Sequence, residues 1–426
     1  MKIAICSHDY PNDISGPNVW LERITSFFQK KGIESVVLFT KGNYNDEYRY
    51  ITALRKKNIP LYVYSGDHYT EHKLKWIVEI LNKEKPDIFI PNYDLPGLFA
   101  SKWVREAGIP TIGTMRSDYE EYMAKLELFV RTKNGFTLDA MVCVSEYLAG
   151  KSRTQAHNTI IRRIPSGTPI PDKKAENSNG VLRLIYSGKI AEKQKRISDV
   201  TTVLCETIKR IPGTEAVIYG SGTCIQSVQN IIREKGKDLP ISYGGVLNSD
   251  EVQNEMLNSQ VFVLLSDYEG LPTALMEAMA CGLVPVCLNI DSGVPELIEH
   301  NKTGLLVNDR GEDFIRAIKR LKTEEGLWEK LSNAARTKIA SEYSIEYSFN
   351  NWIKLFDDLL EKKTVEKREI RIPSRLELPK IHPELTKAEH RWPGTIPHLM
   401  RLTNNYVKRF ASRCKSGVQT LSFNEK

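Results

Sequence analysis

The feature that most constrains the fold is an alternation of short apolar stretches with longer amphipathic ones, which runs along the chain twice. Alternation of this kind predicts βαβ units and a parallel sheet. The first run begins with a strand and continues with an amphipathic helix over Val19–Lys31. Its predicted strands are Lys2–Cys6, Glu34–Phe39, Asp87–Pro91, Thr111–Thr114 and Ala140–Val144.

A proline-rich break separates the two runs. Residues Ile164–Pro171 include three prolines and a glycine, and the polar stretch Asp172–Gly180 follows, so we place an interdomain linker here. A chain of 426 residues is too long for one hydrophobic core, which agrees with two domains. The strands predicted after the break are Leu182–Ser187, Ala216–Tyr219, Val261–Leu265, Val284–Leu288 and Gly304–Val307, and the closing helices are Phe314–Lys322, Leu327–Ala340 and Tyr347–Leu360.

The net charge of +7 is unevenly distributed. From Lys362 onward there are 15 basic and 6 acidic residues, against 45 and 47 in the rest of the chain. The body is therefore not basic, which argues against nucleic-acid binding, whereas the tail suits phosphate or an anionic membrane surface. The seven scattered cysteines form no C-x-x-C pair, and no run of about 20 apolar residues occurs, so we expect a cytoplasmic protein with free thiols.

Two glutamates eight residues apart follow the predicted strand Val261–Leu265. Glu277 is the only charged residue between Leu271 and Ile290, so its helix is predicted to be mostly buried and its carboxylate needs hydrogen-bond donors. Ribose hydroxyls are suitable donors, and Glu269 is expected further out, at the mouth of a cleft. From the residues alone, a structural explanation is preferred to ligand binding. In it Glu277 is a buried glutamate that caps a neighbouring backbone, and Glu269 is an ordinary loop residue.

Cations follow the predicted strand Leu182–Ser187. Lys193, Lys195 and Arg196 lie where the next helix begins, a position at which the helix dipole disfavours positive charge. An anion that faces both the helix end and the cations explains this placement, and a solvated basic turn explains it nearly as well. The loop Gly220-Ser221-Gly222 also follows a strand, but it is not a full G-x-G-x-x-G, so a tight turn is the stronger interpretation by itself.

Several of these segments together resemble glycosyltransferase family 4. Ser266–Gly282 is similar to the E-x7-E motif of that family, and Asp291–Ile298 and Asn301–Val307 match its pattern in order and spacing. The resemblance covers roughly Met1–Leu360 and is strongest over Leu182–Val307. It implies the GT-B fold, an α/β architecture of two Rossmann-like doubly wound domains that face each other across a cleft.

The same resemblance divides the chain into parts. An acceptor-side domain is expected over residues 1–165 and a nucleotide-sugar domain over 166–344, followed by a helix at 345–362 that returns towards the first domain. The basic C-terminal extension, 363–426, lies beyond the resemblance. By hypothesis it docks on a membrane surface, although a structural tail packed on the body explains its prolines and Trp392 at least as well. The residues behind the hypothesis are the apolar Ile396, Leu399, Met400, Tyr406, Val407 and Phe410 and the basic Arg401, Lys408, Arg409, Arg413 and Lys415.

The resemblance also assigns roles to individual residues. Glu277 is expected to bind the nucleotide ribose, Glu269 to bind the donor-sugar hydroxyls, and Lys189 and Lys195 to bind the diphosphate. Lys189 stands where the family has an arginine. The lysine keeps the positive charge but lacks the two parallel donors of a guanidinium. Backbone amides at a helix N-terminus are expected to cradle the sugar and diphosphate, and two loops to line the nucleotide pocket. The amides belong to Gly270, Leu271, Thr273, Ala274 and Leu275, and the loop residues are Gly220, Gly245 and Val246.

Two positions in the first domain depart from the family pattern. Ser15-Gly16-Pro17 keeps only Gly16 of the two glycines that usually lie close to the donor phosphate and the acceptor. Arg116 stands where the family usually has a histidine that touches the donor sugar. An always-charged guanidinium there favours an anionic donor sugar or acceptor. The alternatives are a plain surface arginine outside the motif, or one that pairs with Glu120 and Glu121.

The activity implied is that of a retaining hexosyltransferase, which moves a sugar from a UDP or GDP sugar to a glycan, lipid-linked or small-molecule acceptor. The chain contains no D-x-D sequence and no His/Cys/Asp cluster with metal spacing, so we expect neither a metal nor another cofactor. Two rivals share the fold: a GT-B sugar-nucleotide epimerase and a catalytically impaired sugar-nucleotide-binding subunit. A nicotinamide oxidoreductase is disfavoured because its G-x-G-x-x-G fingerprint is missing.

Overall fold

In the computed structural model the chain forms two parallel β-sheets with helices between successive strands. The structure describes residues 1–11, 15–133, 135–177, 180–362, 365–386 and 390. None of the helices in these ranges is long and apolar enough to cross a membrane.

The first sheet is built from the residues up to Arg163. Its strands are ordered 3-2-1-4-5-6-7 by their position in the chain, so the direction of winding reverses between the first and the fourth. The strands are β1 (Lys2–Ser7), β2 (Glu34–Phe39), β3 (Leu61–Val63), β4 (Ile88–Asn92), β5 (Thr111–Met115), β6 (Ala140–Cys143) and β7 (Ile160–Arg163). The helices are α1 (Gly16–Lys30), α2 (Arg49–Lys56), α3 (Thr70–Glu84), α4 (Leu95–Glu106), α5 (Glu120–Leu126, continued by a π-helical turn over Glu127–Arg131) and α6 (Glu146–Arg153).

The second sheet repeats this plan. Its first strand again lies at the centre, and the order across the sheet is β10-β9-β8-β11-β12-β13. The strands are β8 (Leu182–Ser187), β9 (Thr214–Tyr219), β10 (Ile241–Gly245), β11 (Val261–Leu264), β12 (Val284–Leu288) and β13 (Leu305–Val307). The helices are α7 (Ile197–Arg210), α8 (Ile225–Lys235), α9 (Ser249–Leu257), α10 (Thr273–Ala280), α11 (Val294–Leu297), α12 (Glu312–Thr323), α13 (Leu327–Glu342) and α14 (Ile345–Glu361).

Three strands were missed in the sequence, and all three lie at sheet edges. Strands β3, β7 and β10 each pair with a neighbour on one side only. Central strands of parallel sheets are covered on both faces and are therefore continuous apolar runs. The missed strands lack this signal, because β10 alternates buried and exposed residues, β7 carries two arginines and β3 has only three residues.

Helix α14 begins beside the second domain and packs on α1 of the first. The Ser344 hydroxyl caps its amino end by accepting a hydrogen bond from the Tyr347 N–H at 3.2 Å. Its inner face is aromatic and meets an aromatic face of α1, which ties the end of the second domain to the start of the first. The ring pairs are Trp20–Trp352, Phe27–Phe349 and Phe28–Phe356, with centroids 5.2, 5.4 and 5.7 Å apart.

The segment after α14 lies along the first domain. The Arg368 N–H donates to the Ala107 carbonyl at 3.0 Å, and Ile370 is 3% exposed. Leu385 is fully buried beside α5, and the His390 carbonyl accepts from the Thr70 N–H at the start of α3 at 2.8 Å. This part of the extension is therefore packed on the body. The residues named in the membrane hypothesis, like Trp392, lie outside the described ranges.

Candidate active site

The loops with the predicted site residues meet at the switch point of the second sheet, which is the place between β8 and β11 where the direction of winding reverses. Strand β8 lies next to β11, although β9 and β10 separate the two in the chain. Gln194, in the loop after β8, donates through Nε2 to the Tyr268 carbonyl at 2.8 Å, and its own carbonyl accepts from the Asp267 N–H at 2.9 Å. The two loops are thus joined at the carboxyl ends of adjacent strands, which is where open α/β sheets bind ligands.

Lys195 and Glu269 form an ion pair between these loops. Lys195 Nζ lies 2.5 Å from Glu269 Oε1, and the two side chains are 15% and 7% exposed. The expectation that Glu269 lies at the mouth of the cleft is wrong. The carboxylate is buried instead, because the lysine supplies the counter-charge that makes its burial tolerable.

Lys189 does not join this pair. Its side chain is exposed, and its carbonyl accepts a hydrogen bond from the Tyr186 hydroxyl at 2.9 Å. Lys193 reaches towards the first domain, where its Nζ lies 3.5 Å from the Tyr119 hydroxyl. The lysines of this loop therefore contact different groups. Within the described ranges, no group of three His, Cys, Asp or Glu side chains is placed to hold a metal ion.

The amino end of α10 packs closely against the first domain. A Cβ on Gly270 would lie 1.9 Å from the Arg116 carbonyl oxygen, so only glycine fits there. A Cβ on Gly16 would lie 4.0 Å from Thr273 Oγ1, which places the remaining glycine of the first-domain loop opposite this helix end. The first backbone N–H groups of α10 have no partner within the helix and can bind an anion. Of the residues predicted to cradle the donor, Leu271 and Leu275 are buried, and Thr273 and Ala274 are half-buried.

Glu277 finds its hydrogen-bond donor in the other domain. Arg23 Nη2 of α1 lies 2.5 Å from Glu277 Oε1, and Arg23 Nη1 donates to the Gly167 carbonyl at 3.2 Å. The Glu277 side chain is 26% exposed. Sequence analysis missed Arg23. Its one signal is a cation on an otherwise amphipathic helix directly after the Gly16 loop, which is too common a pattern to single it out.

The glycine loops of the second domain pack on one another. A Cβ on Gly220 would lie 1.8 Å from the Gly188 carbonyl oxygen, and one on Gly222 would lie 2.1 Å from that of Ile190. These close contacts leave no room for a side chain at Gly220 and Gly222. The two glycines form a tight turn that supports the loop after β8, in which Lys189, Lys193 and Lys195 lie. Gly245 has a φ of 84°, in the left-handed region, and the next residue, Val246, is exposed.

Arg116 lies between the domains, with little to neutralise it. Its Nη1 donates to the Ser166 hydroxyl at 3.2 Å, its guanidinium carbon lies 4.5 Å from the centre of the Trp20 ring, and its Nε has no hydrogen-bond partner in the described ranges. Burial lowers the pKa of Arg116 to about 10, so it stays charged at neutral pH. Glu121 instead pairs with Lys125 at 3.2 Å, which removes it as the internal partner of Arg116.

A carboxylate of the second domain caps a helix of the first. Glu296 Oε1 and Oε2 accept hydrogen bonds from the N–H groups of Tyr147 and Glu146, at 2.8 and 2.9 Å. These amides are the free donors at the start of α6, where negative charge is also favoured by the helix dipole. The segment Asp291–Ile298 therefore holds the two domains together beside the cleft.

Solved structures resemble the whole of this two-domain arrangement. HepE of Anabaena, solved in complex with UDP, has a TM-score of 0.69 at 14% identity and covers 84% of this chain and 100% of its own. A glycosyltransferase of Rickettsia africae has a TM-score of 0.66 at 16% identity over 85% of this chain and 99% of its own. The chain has the GT-B fold. The predicted architecture of two Rossmann-like domains is thus confirmed.

The second GT-B domain also matches a sequence family. Residues 170–338 match the family described as glycosyl transferases group 1. This segment contains all six strands of the second sheet and both loops of the candidate site. The similarity to this family therefore lies in the second domain.

Curated relatives align over parts of this GT-B chain. Amylovoran biosynthesis glycosyltransferase AmsK of Erwinia amylovora is 30% identical over 186 residues, which are 42% of this chain and 45% of AmsK. A GDP-mannose-dependent α-(1-6)-phosphatidylinositol monomannoside mannosyltransferase of Mycobacterium tuberculosis is 31% identical over 123 residues, which are 27% of this chain and 32% of that protein. The chain thus spans less than half the length of the relatives it matches.

Proposed function

We propose that this chain is a retaining glycosyltransferase of the kind found in glycosyltransferase family 4. It moves a hexose from a UDP or GDP sugar to a glycan, lipid-linked or small-molecule acceptor, without a metal ion. The observation that carries the proposal is the Lys195–Glu269 pair, buried at the switch point and beside the amino end of α10. The lysine suits a diphosphate, and the carboxylate suits sugar hydroxyls.

The names of similar proteins support a nucleotide-sugar donor. HepE was solved with UDP and with UDP-glucose, and the mycobacterial relative is named as dependent on GDP-mannose. Both bases occur among these proteins, so the proposed donor is a UDP or a GDP sugar.

In the proposed reaction the bond between the sugar C1 and the diphosphate oxygen breaks. The acceptor oxygen forms its bond to C1 on the same face, and the acceptor proton passes to the departing phosphate. Donor binding exchanges the Lys195–Glu269 pair for two new contacts, lysine to phosphate and carboxylate to sugar hydroxyl. Lys195 and the amides at the start of α10 then stabilise the charge on the leaving group, and one such preorganised donor contributes roughly 3–4 kcal/mol.

Because of Arg116, we further propose that the donor sugar or the acceptor carries an anionic group. Arg116 is half-buried, and its buried Nε has no hydrogen-bond partner in the described ranges. A carboxylate matches such a guanidinium through parallel hydrogen bonds, whereas a neutral hydroxyl leaves its charge unbalanced. The test compares a hexose donor with its C6-oxidised counterpart in the wild type and in Arg116→His. A wild type that prefers the neutral donor, combined with unchanged acceptor affinity in the variant, contradicts this role.

The function is tested first by a thermal-shift screen against UDP and GDP sugars. A ligand at 100 times its Kd stabilises by about 2.7 kcal/mol, which is readily measured. Acceptors are then added with the best donor, and release of nucleoside diphosphate is followed. Acceptor-dependent release supports the transferase. Donor binding without release in any acceptor mixture identifies an impaired subunit, and conversion of the sugar without an acceptor identifies an epimerase.

A further inference from the structure

Arg310 holds the loop that leads from β11 to Glu269. Its Nε donates to the Leu265 carbonyl at 2.8 Å, and its Nη2 donates to the carboxylate of Asp267. The guanidinium thus contacts the chain on both sides of Ser266, at the point where the backbone leaves the sheet. Glu269, which the proposed function places at the donor sugar, is two residues further along the chain.

The contact of Arg310 with this loop is largely shielded from water. The Arg310 side chain is 22% exposed, and Leu265 and Ser266 are buried. The Asp267 side chain is more open, at 42%, so solvent screens part of the charge of this pair. The main consequence of the contact is therefore geometric. Two directed hydrogen bonds from one planar group fix the backbone on both sides of Ser266.

The turn that carries Arg310 is itself supported by hydrogen bonds. Asp309 Oδ1 accepts from the N–H groups of Gly311 and Asp313, at 2.7 and 3.2 Å. Asp313 Oδ2 in turn accepts from the Asn308 N–H at 2.8 Å. These bonds join the residues on both sides of Arg310 to the amino end of α12, so the guanidinium reaches the loop from a well-supported turn.

Arg310 contacts the loop from a different strand end than the other partners of the loop. Asp267 Oδ2 lies 3.9 Å from Arg196 Nε, and Glu269 pairs with Lys195 at 2.5 Å. Both of these partners come from the segment between β8 and α7, whereas Arg310 comes from the turn after β13. The loop with Glu269 is thus attached to the ends of two other strands of the second sheet.

We infer that Arg310 is a positioning residue, which holds Glu269 where its carboxylate meets the donor sugar. The inference rests on the proposed glycosyltransferase function and adds to it a residue that does not touch the substrate. In the proposed reaction the donor takes the place of Lys195, so Glu269 loses that contact and needs another support. Arg310 keeps both of its hydrogen bonds during this exchange. A misplacement of about 1 Å at a reacting group can lower the rate roughly a hundredfold.

The experiment compares Arg310→Gln with Arg316→Gln. Arg316 lies on α12, its side chain is 68% exposed and it forms a surface ion pair with Asp313 at 3.7 Å, so it is the matched control. Turnover is measured as release of UDP from UDP-glucose, or of GDP from GDP-mannose, with the acceptor that supports transfer. We expect Arg310→Gln to lower kcat roughly tenfold or more and to keep the affinity for UDP or GDP within about twofold of the wild type. Arg316→Gln should behave like the wild type.

The role of Glu269 in this effect is tested by repeating Arg310→Gln in a Glu269→Ala background. If Arg310 acts through Glu269, its substitution lowers kcat no further there, because the carboxylate that it positions is already missing. A merely structural role would lower kcat by the same factor in both backgrounds, and that result overturns the inference. A wild-type kcat in Arg310→Gln overturns it as well.

A second variant serves if melting temperatures show that Arg310→Gln does not fold. Asp267→Asn keeps the hydrogen bond from Arg310 to the Leu265 carbonyl and removes only the charge of the side-chain contact. It should lower kcat roughly threefold or more in the wild type and not at all in the Glu269→Ala background. A wild-type kcat in Asp267→Asn would then overturn the inference.

A stability measurement separates the positioning role from the proposed function. The coupling energy between Lys195 and Glu269 is measured by urea denaturation, in the wild type and in Arg310→Gln. We expect this energy to fall by roughly half or more in the variant, since the loop no longer holds the carboxylate in place. An unchanged coupling energy overturns the inference whether or not the chain transfers sugar. A reduced coupling energy in a chain that shows no transfer refutes the proposed transferase and leaves the positioning role standing.

Discussion

Lys195 and Glu269 are the residues on which the proposed chemistry depends most. Lys195→Ala leaves a buried carboxylate without its counter-ion, so it should lower the free energy of unfolding by about 3 kcal/mol and remove most transfer activity. In the double variant Lys195→Ala/Glu269→Ala the pair is removed whole, so the loss of stability should be much smaller than the sum of the single losses. Urea denaturation of the wild type, Lys195→Ala, Glu269→Ala and the double variant measures the coupling energy between the two residues.

Lys189→Ala is the control for this cycle, because its exposed side chain should contribute little to stability. If the stability losses of Lys195→Ala and Glu269→Ala add up in the double variant, the interaction between the two residues is contradicted. Full activity of Lys195→Ala, together with a loss of activity in Lys193→Ala, would transfer the diphosphate role to Lys193.

Variants of Glu277 and Arg23 distinguish nucleotide binding by the Glu277 carboxylate from the effect of the contact between the domains. If Glu277 binds the ribose, Glu277→Ala should lower the affinity for UDP or GDP strongly, since the hydroxyls lose their acceptor. Arg23→Ala breaks the same ion pair but keeps the carboxylate, so it should bind the nucleotide as tightly as the wild type or more tightly. Calorimetry with UDP and GDP decides. Equal losses in both variants would show that the contact between the domains, and not the carboxylate, supports nucleotide binding.

Which site residues could be predicted depended on where their partners lie in the chain. Lys195 and Glu269 lie in the loops after β8 and β11, and Glu277 lies in α10, directly after the second of these loops. The sequence analysis placed all three in these segments. Their contacts were not predictable in the same way, because the partner of Glu277 is 254 residues away on another domain. The burial of Glu269 also depends on its pairing with Lys195, 74 residues away, which no local pattern reveals.

At the scale of elements, the prediction succeeded where burial produces a pattern. The predicted closing helix Leu327–Ala340 is observed as Leu327–Glu342, and the predicted strand Val284–Leu288 has the observed bounds. The three missed edge strands gave no clear pattern, because β7 ends in two arginines, β10 alternates buried and exposed residues, and β3 has only three residues. The fold class could therefore be read from the central elements alone, while the widths of the two sheets could not.

The cap that Glu296 places on α6 is predicted to hold the domains in their closed arrangement. Glu296→Gln removes the negative charge at the helix end and one of the two amide contacts, so closure should weaken by about 1–2 kcal/mol. Small-angle scattering should then show a larger radius of gyration, and transfer should need a higher donor concentration. Lys302→Gln, an exposed position further along, is the matched control. An unchanged radius and unchanged donor dependence would show that the cap does not control closure.

At the scale of the whole molecule, the contacts that join the two domains include three that the sequence order conceals. Arg23 reaches Glu277 beside the donor site, Glu296 caps α6, and α14 crosses from the second domain to lie on α1. The first two contacts are polar and can exchange with ligand or water, whereas the aromatic contact of α14 is apolar and buried. Domain motion is therefore expected to pivot about α14, with the polar contacts opening and closing.

The C-terminal extension allows a last prediction that concerns the whole molecule. A cut after Leu360 is unsuitable as a test of membrane docking, because it removes packed residues such as Ile370 and Leu385. Loss of these two buried side chains alone should lower stability by roughly 3 kcal/mol or more. A cut after His390 removes only residues 391–426, which carry seven basic residues and one acidic residue, and should leave the melting temperature and transfer activity unchanged. If the basic tail docks on anionic membranes, this shorter chain no longer co-sediments with phosphatidylglycerol liposomes, while the full chain does so at low salt and is released at high salt. Co-sedimentation that survives the cut after His390 would place the membrane contact on the body and refute the docking role of the tail.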